Sequence, residues 1–195
     1  MQKRTHFNIT EHKLGVLGGG QLGKMLGLAA GNWHLPFFTL DEGADFPAAP
    51  VATRHTEGSF RLFDDVYNFG KDMDVLTIEI EHVNTDALEE LEQEGITRVH
   101  PHPRALSTIK DKGRQKEFYQ DRKLPTSPFA LYPSAEAIRQ AIAEKRLEFP
   151  FVQKTRTAGY DGRGVAVIQR QADLDKLMEA PSLVEAKVDI DKELA

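Results

Sequence analysis

A short apolar run, Leu14–Leu17, enters three consecutive glycines, Gly18-Gly19-Gly20, and emerges into Gln21-Leu22-Gly23, with Leu22, Met25, Leu26 and Ala29 recurring at helical spacing. Few chain paths accept that order. The glycines permit a tight turn and close backbone approach, and the helix that follows offers unpaired N–H groups at its first turn to a phosphate or a carboxylate. Asp41 closes the next apolar run, so the segment also matches the G-x-G-x-x-G pattern of dinucleotide sites with its trailing acid. A nicotinamide cofactor, another anionic ligand and a purely structural turn all fit the residues at this point.

The same alternation continues along the chain. The first helix is expected to stop at Gly31-Asn32, and strands are expected over 37–40 and 51–55. Ser59 is a good N-cap for a helix carrying Phe60, Phe63, Val66 and Tyr67 on one face. A strand over 75–80, an acidic helix from about Asp86 to Glu94 ended by Gly95, and a strand over 97–99 complete the pattern. Strands alternating with helices predict an α/β domain with a doubly wound parallel sheet over 14–106, after a polar lead over 1–13. Trp33, Phe37 and Phe38 read as core, Glu89, Glu90, Glu92 and Glu94 as a solvated helix face, and His100 and His102 as loop histidines without metal-ligand spacing.

The texture changes after Pro103. A long basic and polar helix is expected over 104–122, then a strand over 129–132, a helix over 135–144, strands over 149–154 and 165–168, a helix over 173–178 and a strand over 183–188. This predicts a smaller antiparallel α+β unit over 107–195. Between two of its strands lies Lys154-Thr155-Arg156-Thr157-Ala158-Gly159-Tyr160-Asp161-Gly162-Arg163-Gly164. Closely spaced glycines beside cations suit a mobile loop folding over phosphates. Glu79 and Glu81 would share one face of the 75–80 strand at its C-terminal end, where open α/β sheets bind ligands; Glu79 is the favoured contact.

Charge and composition remove several function classes. The 195 residues carry 25 Lys+Arg against 30 Asp+Glu, a net charge of −5, with the basic residues scattered. That leaves no footprint for nucleic acid, though a few placed cations suffice for a phosphorylated small molecule. No apolar run approaches the length needed to cross a bilayer, and the polar lead lacks a secretory signal, so no membrane partner and a cytoplasmic location are expected. The absence of cysteine excludes a disulfide framework.

Five segments, GVLGGGQLGKM over 15–25, TIEIEHV over 77–83, LPTSPF over 124–129, KTRTAGYDGRG over 154–164 and VEAKVDIDKEL over 184–194, occur in the order and spacing of the ATP-grasp superfamily. Within it the chain resembles the 5-(carboxyamino)imidazole ribonucleotide synthases of purine biosynthesis, over the first half of their length. The resemblance implies a pre-ATP-grasp, Rossmann-like domain followed by an incomplete ATP-grasp domain with its glycine-rich lid. It implies a ligase: ATP phosphorylates bicarbonate to carboxyphosphate, which carboxylates the amine of 5-aminoimidazole ribonucleotide.

By the same resemblance, Lys112 and Lys154 hold the ATP phosphates. Glu185, Ala186 and Val188 lie on the strand that faces adenine, and Glu193 takes the ribose. Gly159, Gly162, Arg163 and Gly164 form the lid. Gly20, Gln21, Leu22, Glu79, Tyr160 and Asp161 meet the nucleotide substrate, with Lys154 and Asp161 as the catalytic pair. Magnesium is implied, with its acidic ligands expected beyond Ala195, so the chain is expected to be inactive alone; the full-length form is expected to be a homodimer. A formate-dependent glycinamide ribonucleotide transformylase and a nicotinamide-dependent dehydrogenase are the rival readings.

Overall fold

The computed structural model describes residues 8–157 and 164–192. The chain divides between Ser107 and Thr108 into two compact units.

In the first unit, β1 (Leu14–Leu17), β2 (Phe37–Asp41), β3 (Arg54–Glu57), β4 (Val75–Ile78) and β5 (Arg98–His100) form a parallel sheet in the order β3-β2-β1-β4-β5. The order reverses direction at β1, the topological switch point of a doubly wound sheet. Helices α1 (Gln21–Asn32), α2 (Phe63–Gly70), α3 (Thr85–Gln93) and α4 (Pro103–Ile109) belong to the connections and the exit from the sheet. The main core joins Leu17, Leu40 and Leu76 of the sheet to Val66, Phe69, Leu88, Leu91 and Leu106 of the helices. Each such buried side chain contributes about 1.5–3 kcal/mol relative to exposure.

Several expectations change in detail. Leu22 and Met25 are each 57% exposed, and the helix turns Gly23, Gly27 and Ala30 inward instead. The reason is close approach: a Cβ on Gly27 would stand 2.8 Å from Val51 and 2.9 Å from Phe37. Trp33 is 70% exposed, whereas Phe37 is buried as expected. Helix α1 does end at Asn32, as expected, and His34 (φ 55°) is the left-handed residue that follows it. Ser59 does not cap α2, which begins four residues later at Phe63; its hydroxyl donates to Glu42 while its N–H donates to Asp65. Residues 49–51 form a 3-10 turn, which pushes β3 to Arg54–Glu57. Helix α3 is capped by Asn84, whose side chain accepts from the Ala87 N–H, and Gly95 (φ +67°) ends it as anticipated. On its acidic face Glu92 accepts from the Val99 N–H and Glu94 from the Tyr67 hydroxyl, so these two acids do more than meet solvent.

The second unit holds α5 (Lys112–Asp121), β6 (Phe129–Tyr132), α6 (Ala135–Ala143), β7 (Phe151–Thr155), β8 (Val165–Ile168) and β9 (Ser182–Ala186). Its sheet runs β6-β9-β7-β8 with antiparallel pairs throughout. The single helix expected over 104–122 is two, because Asp111 leaves the helical region and caps α5 with its carboxylate. Residues 171–176 form a 3-10 helix, and β9 stops at Ala186, short of Val188. One face of the sheet packs Phe151, Ile168 and Val184 against Ala135 and Ile138 of α6. Gln153 lies fully buried on that same face. Its amide donates to the Met178 carbonyl and the Ser182 hydroxyl and accepts from the Met178 N–H, so its polar atoms are satisfied.

Candidate functional site

In the first unit three strand ends converge on the glycine turn. The Gly18 N–H donates to the Leu40 carbonyl (2.9 Å) and the Glu79 N–H to the Leu17 carbonyl (2.9 Å), so the residues that follow β1, β2 and β4 sit side by side. Strand β4 ends at Ile78, one residue before Glu79. The strand periodicity that would put Glu79 and Glu81 on one face therefore does not reach them. Glu79 turns over the loop and accepts from the Gly20 N–H (3.3 Å), whereas Glu81 is exposed and pairs with His82 at 3.4 Å. The glycines make room for that acid. Gly18 has φ +105°, and a Cβ on Gly20 would meet Glu79 Oε1 at 2.8 Å.

Asp41 is 5% exposed and aimed at the same loop. Its Oδ2 accepts from the Gly19 N–H (2.7 Å) and its Oδ1 from the Glu42 N–H (2.7 Å). An acid binding the ribose of a dinucleotide must instead face a ligand, so Asp41 acts as a strut for the turn and the dehydrogenase reading loses its second element. Two of the loop amides thus already serve carboxylates. Gln21 and Leu22, exposed in the first turn of α1, extend the same rim.

In the second unit the chemistry is carried by side-chain charge. Lys154 on β7 and Glu185 on β9 lie on the sheet face opposite α6, since the register sets Val152 against Glu185 and Lys154 against Leu183. The Lys154 ammonium pairs with Glu185 Oε1. Lys116, one helical turn after Lys112 on α5, pairs with Oε2 at 2.7 Å, and the Ser127 hydroxyl donates to the same oxygen at 2.9 Å. Burial alone would push the Glu185 carboxyl up. The bonds from Lys116, Lys154 and Ser127 outweigh it and hold the group below its ordinary value of 4.5.

A second pair anchors the start of α5. Arg156, just past β7, forks onto Asp111: Nε to Oδ1 at 2.9 Å and Nη2 to Oδ2 at 2.7 Å. Asp111 also accepts from the Gly113 and Arg114 N–H groups, and the Lys112 N–H donates to the Arg156 carbonyl at 2.9 Å. Burial opposes ionisation of Asp111, but Arg156 and the two amides hold its carboxyl below 3.8. The residue carrying Lys112 is therefore tied to the chain leaving Lys154.

Of the other anticipated residues, Ala186 ends β9, Val188 is exposed beyond it, and Gly164 (φ +75°) accepts from the Thr155 N–H at the base of the β7–β8 hairpin. Gly159, Tyr160, Asp161, Gly162, Arg163 and Glu193 lie outside the described residues. Lys116, Asp111, Arg156 and Gln153 were not anticipated. The available signal for Lys116 was its four-residue spacing from Lys112, which stacks both on one helix face. Among the described residues, no group of three His, Cys, Asp or Glu side chains is placed to hold a metal ion, and no helix is long and apolar enough to cross a membrane.

Comparison with known proteins gives this geometry its relatives. A phosphoribosylaminoimidazole carboxylase of Candida glabrata is 35% identical over 170 residues, which cover 85% of this chain and 29% of that protein. The crystal structure of N5-carboxyaminoimidazole ribonucleotide synthetase from Thermotoga maritima superposes with a TM-score of 0.82 at 32% identity, over 92% of this chain and 47% of that one. An N5-carboxyaminoimidazole synthase from Aspergillus clavatus, solved with ADP and 5-aminoimidazole ribonucleotide, gives 0.77 at 32% identity over 89% and 46%. The chain thus spans less than half the length of each. The ribonucleotide synthetase preATP-grasp domain family matches residues 11–110 and the ATP-grasp domain family residues 117–195. With its acid-braced glycine turn at the end of a parallel sheet and, on an antiparallel one, an acid paired with a lysine of the sheet and a lysine of the helix α5, the chain belongs to the ribonucleotide synthetase preATP-grasp family, continued by ATP-grasp sequence.

Proposed function

We propose that the chain serves the ATP-dependent carboxylation of 5-aminoimidazole ribonucleotide by bicarbonate, in purine biosynthesis. One observation carries the reading: a lysine and an acid at two of the ATP positions that the family resemblance implies, Lys154 and Glu185, meet on adjacent strands in a partly buried setting of net positive charge. The relatives named with ADP and the aminoimidazole nucleotide add the ligand classes.

Lys154 and Lys112 neutralise the phosphates of ATP, offsetting the charge that develops as the terminal phosphoryl group passes to bicarbonate. Main-chain groups of Glu185, Ala186 and Val188 meet adenine, and Glu193 its ribose. Gly20, Gln21, Leu22 and Glu79 receive the substrate nucleotide, together with Tyr160 and Asp161. Gly159, Gly162 and Gly164 give the loop, which also carries Arg163, its freedom to exclude water from the labile carboxyphosphate. The amine of the substrate then takes the carboxyl group, releasing phosphate, with Asp161 holding that amine. The described residues do not by themselves fit magnesium, which the family resemblance implies, and the steps above use none. A cytoplasmic homodimer is part of the same proposal.

Titration of the isotope-labelled chain tests it. 5-Aminoimidazole ribonucleotide is expected to shift the Gly19, Gly20 and Glu79 amides, and ADP the side chain of Lys154. Saturable binding of NADH at the glycine turn, preference for glycinamide ribonucleotide, or no response to either expected nucleotide would overturn it.

A further inference from the structure

We propose that Lys116 is a positioning residue that takes over the neutralisation of Glu185 and so leaves the charge of Lys154 available to an anionic ligand. The inference rests on the reading of Lys154 as a phosphate-binding group.

Its basis is a count of charges and donors. A pair of Lys154 and Glu185 alone would be neutral and attract a phosphate only weakly. With Lys116 on the second carboxylate oxygen, two ammonium groups face one carboxylate, and one positive charge is left over. That surplus is directed outward: the side chains of Lys116 and Glu185 are 14% and 9% exposed, and that of Lys154 is 31% exposed. Lys116 cannot itself serve a ligand. An ammonium has three N–H donors, and three acceptors take them: Thr126 Oγ1 at 2.5 Å, Ser127 Oγ at 3.0 Å and Glu185 Oε2 at 2.7 Å. The ring of Phe129 lies 5.9 Å away beneath the charge. Thr126 and Ser127, the polar centre of the LPTSPF segment, thereby acquire a task. They hold a lysine that holds an acid that would otherwise consume the charge of Lys154.

The test uses the 195-residue chain with labelled lysine side chains, inorganic tripolyphosphate as the probe, and the Lys154 ε-resonances as the readout. Lys116→Met is expected to weaken tripolyphosphate binding about tenfold or more, because Lys154 is then spent on Glu185. The double variant Lys116→Met, Glu185→Gln removes both the cation and the acid it serves, and is expected to recover to within about threefold of wild type. Glu185→Gln alone, which strips the counter-charge, is expected to bind at least as tightly as wild type, and it decides the matter should Lys116→Met fail to fold. A Lys116→Met chain binding like wild type, a double variant that does not recover, or a weaker Glu185→Gln chain would overturn the inference while leaving Lys154 a phosphate group. A wild-type chain whose Lys154 does not respond to tripolyphosphate would remove that role, and the inference with it.

Discussion

The glycine turn of the first unit and the lysine cluster of the second use opposite materials. In the turn, the framework is built from backbone: amides of Gly19 and Gly20 face Asp41 and Glu79, and side chains are absent because the acids need the space. In the cluster it is built from side chains, with one carboxylate shared by two ammonium groups and a hydroxyl. A backbone site is set by dihedral angles and resists change of charge. A side-chain site is set by charge balance and resists change of sign.

Substitutions can break that contrast. The largest expected effect is Glu185→Ala, which leaves Lys116 and Lys154 facing one another in a partly buried setting. Removing one partner of such a cluster costs about 3 kcal/mol. Residue-resolved hydrogen exchange is expected to show the loss in β7 and β9 and none in β1 and β2; an equal loss in both units would erase the distinction. Next comes Gly18→Ala, which places a Cβ against Glu79 at a φ of +105°. It is expected to destabilise the first unit by about 2 kcal/mol in denaturant titration, and retained stability would show that the turn relaxes cheaply.

The smallest effect near neutral pH is that of acid. Glu185 and Asp111 have carboxyls held below their ordinary values of 4.5 and 3.8. Their contribution is complete above those unfolded values and is lost as pH falls through the lower folded ones. The amides of α5 and β9 are therefore expected to lose exchange protection on acidification below about pH 4. Protection that does not change there would detach the cluster from stability.

Much of this was legible in the chain, and what was missed has physical causes that differ from element to element. The alternation of apolar runs and glycine or proline breaks announced both sheets, because strand and helix periods are local. Glu79 was identifiable by its place at a strand end, but the inference that Glu81 joins it failed where β4 stopped at Ile78. The apolar residues of α1 misled because glycine carries no hydrophobicity signal, although Gly23 and Gly27 are what let the helix approach the sheet. Asp111 and Arg156, and Lys116 beyond its spacing from Lys112, were missed for a different reason. Each lies in a polar stretch, and each acquires meaning only from a partner on a segment far along the chain.

Gln153 closes the account from the uncharged side. Neighbouring residues on a strand point to opposite faces, so sliding β7 by one position past β9 would carry Lys154 into the apolar layer beneath α6 and this amide out of it. The bonds Gln153 makes to Met178 and Ser182 exist only in the observed alignment. A neutral side chain on the far face of the sheet thus acts as the key that admits a single alignment, and the ammonium on the near face inherits its address from it.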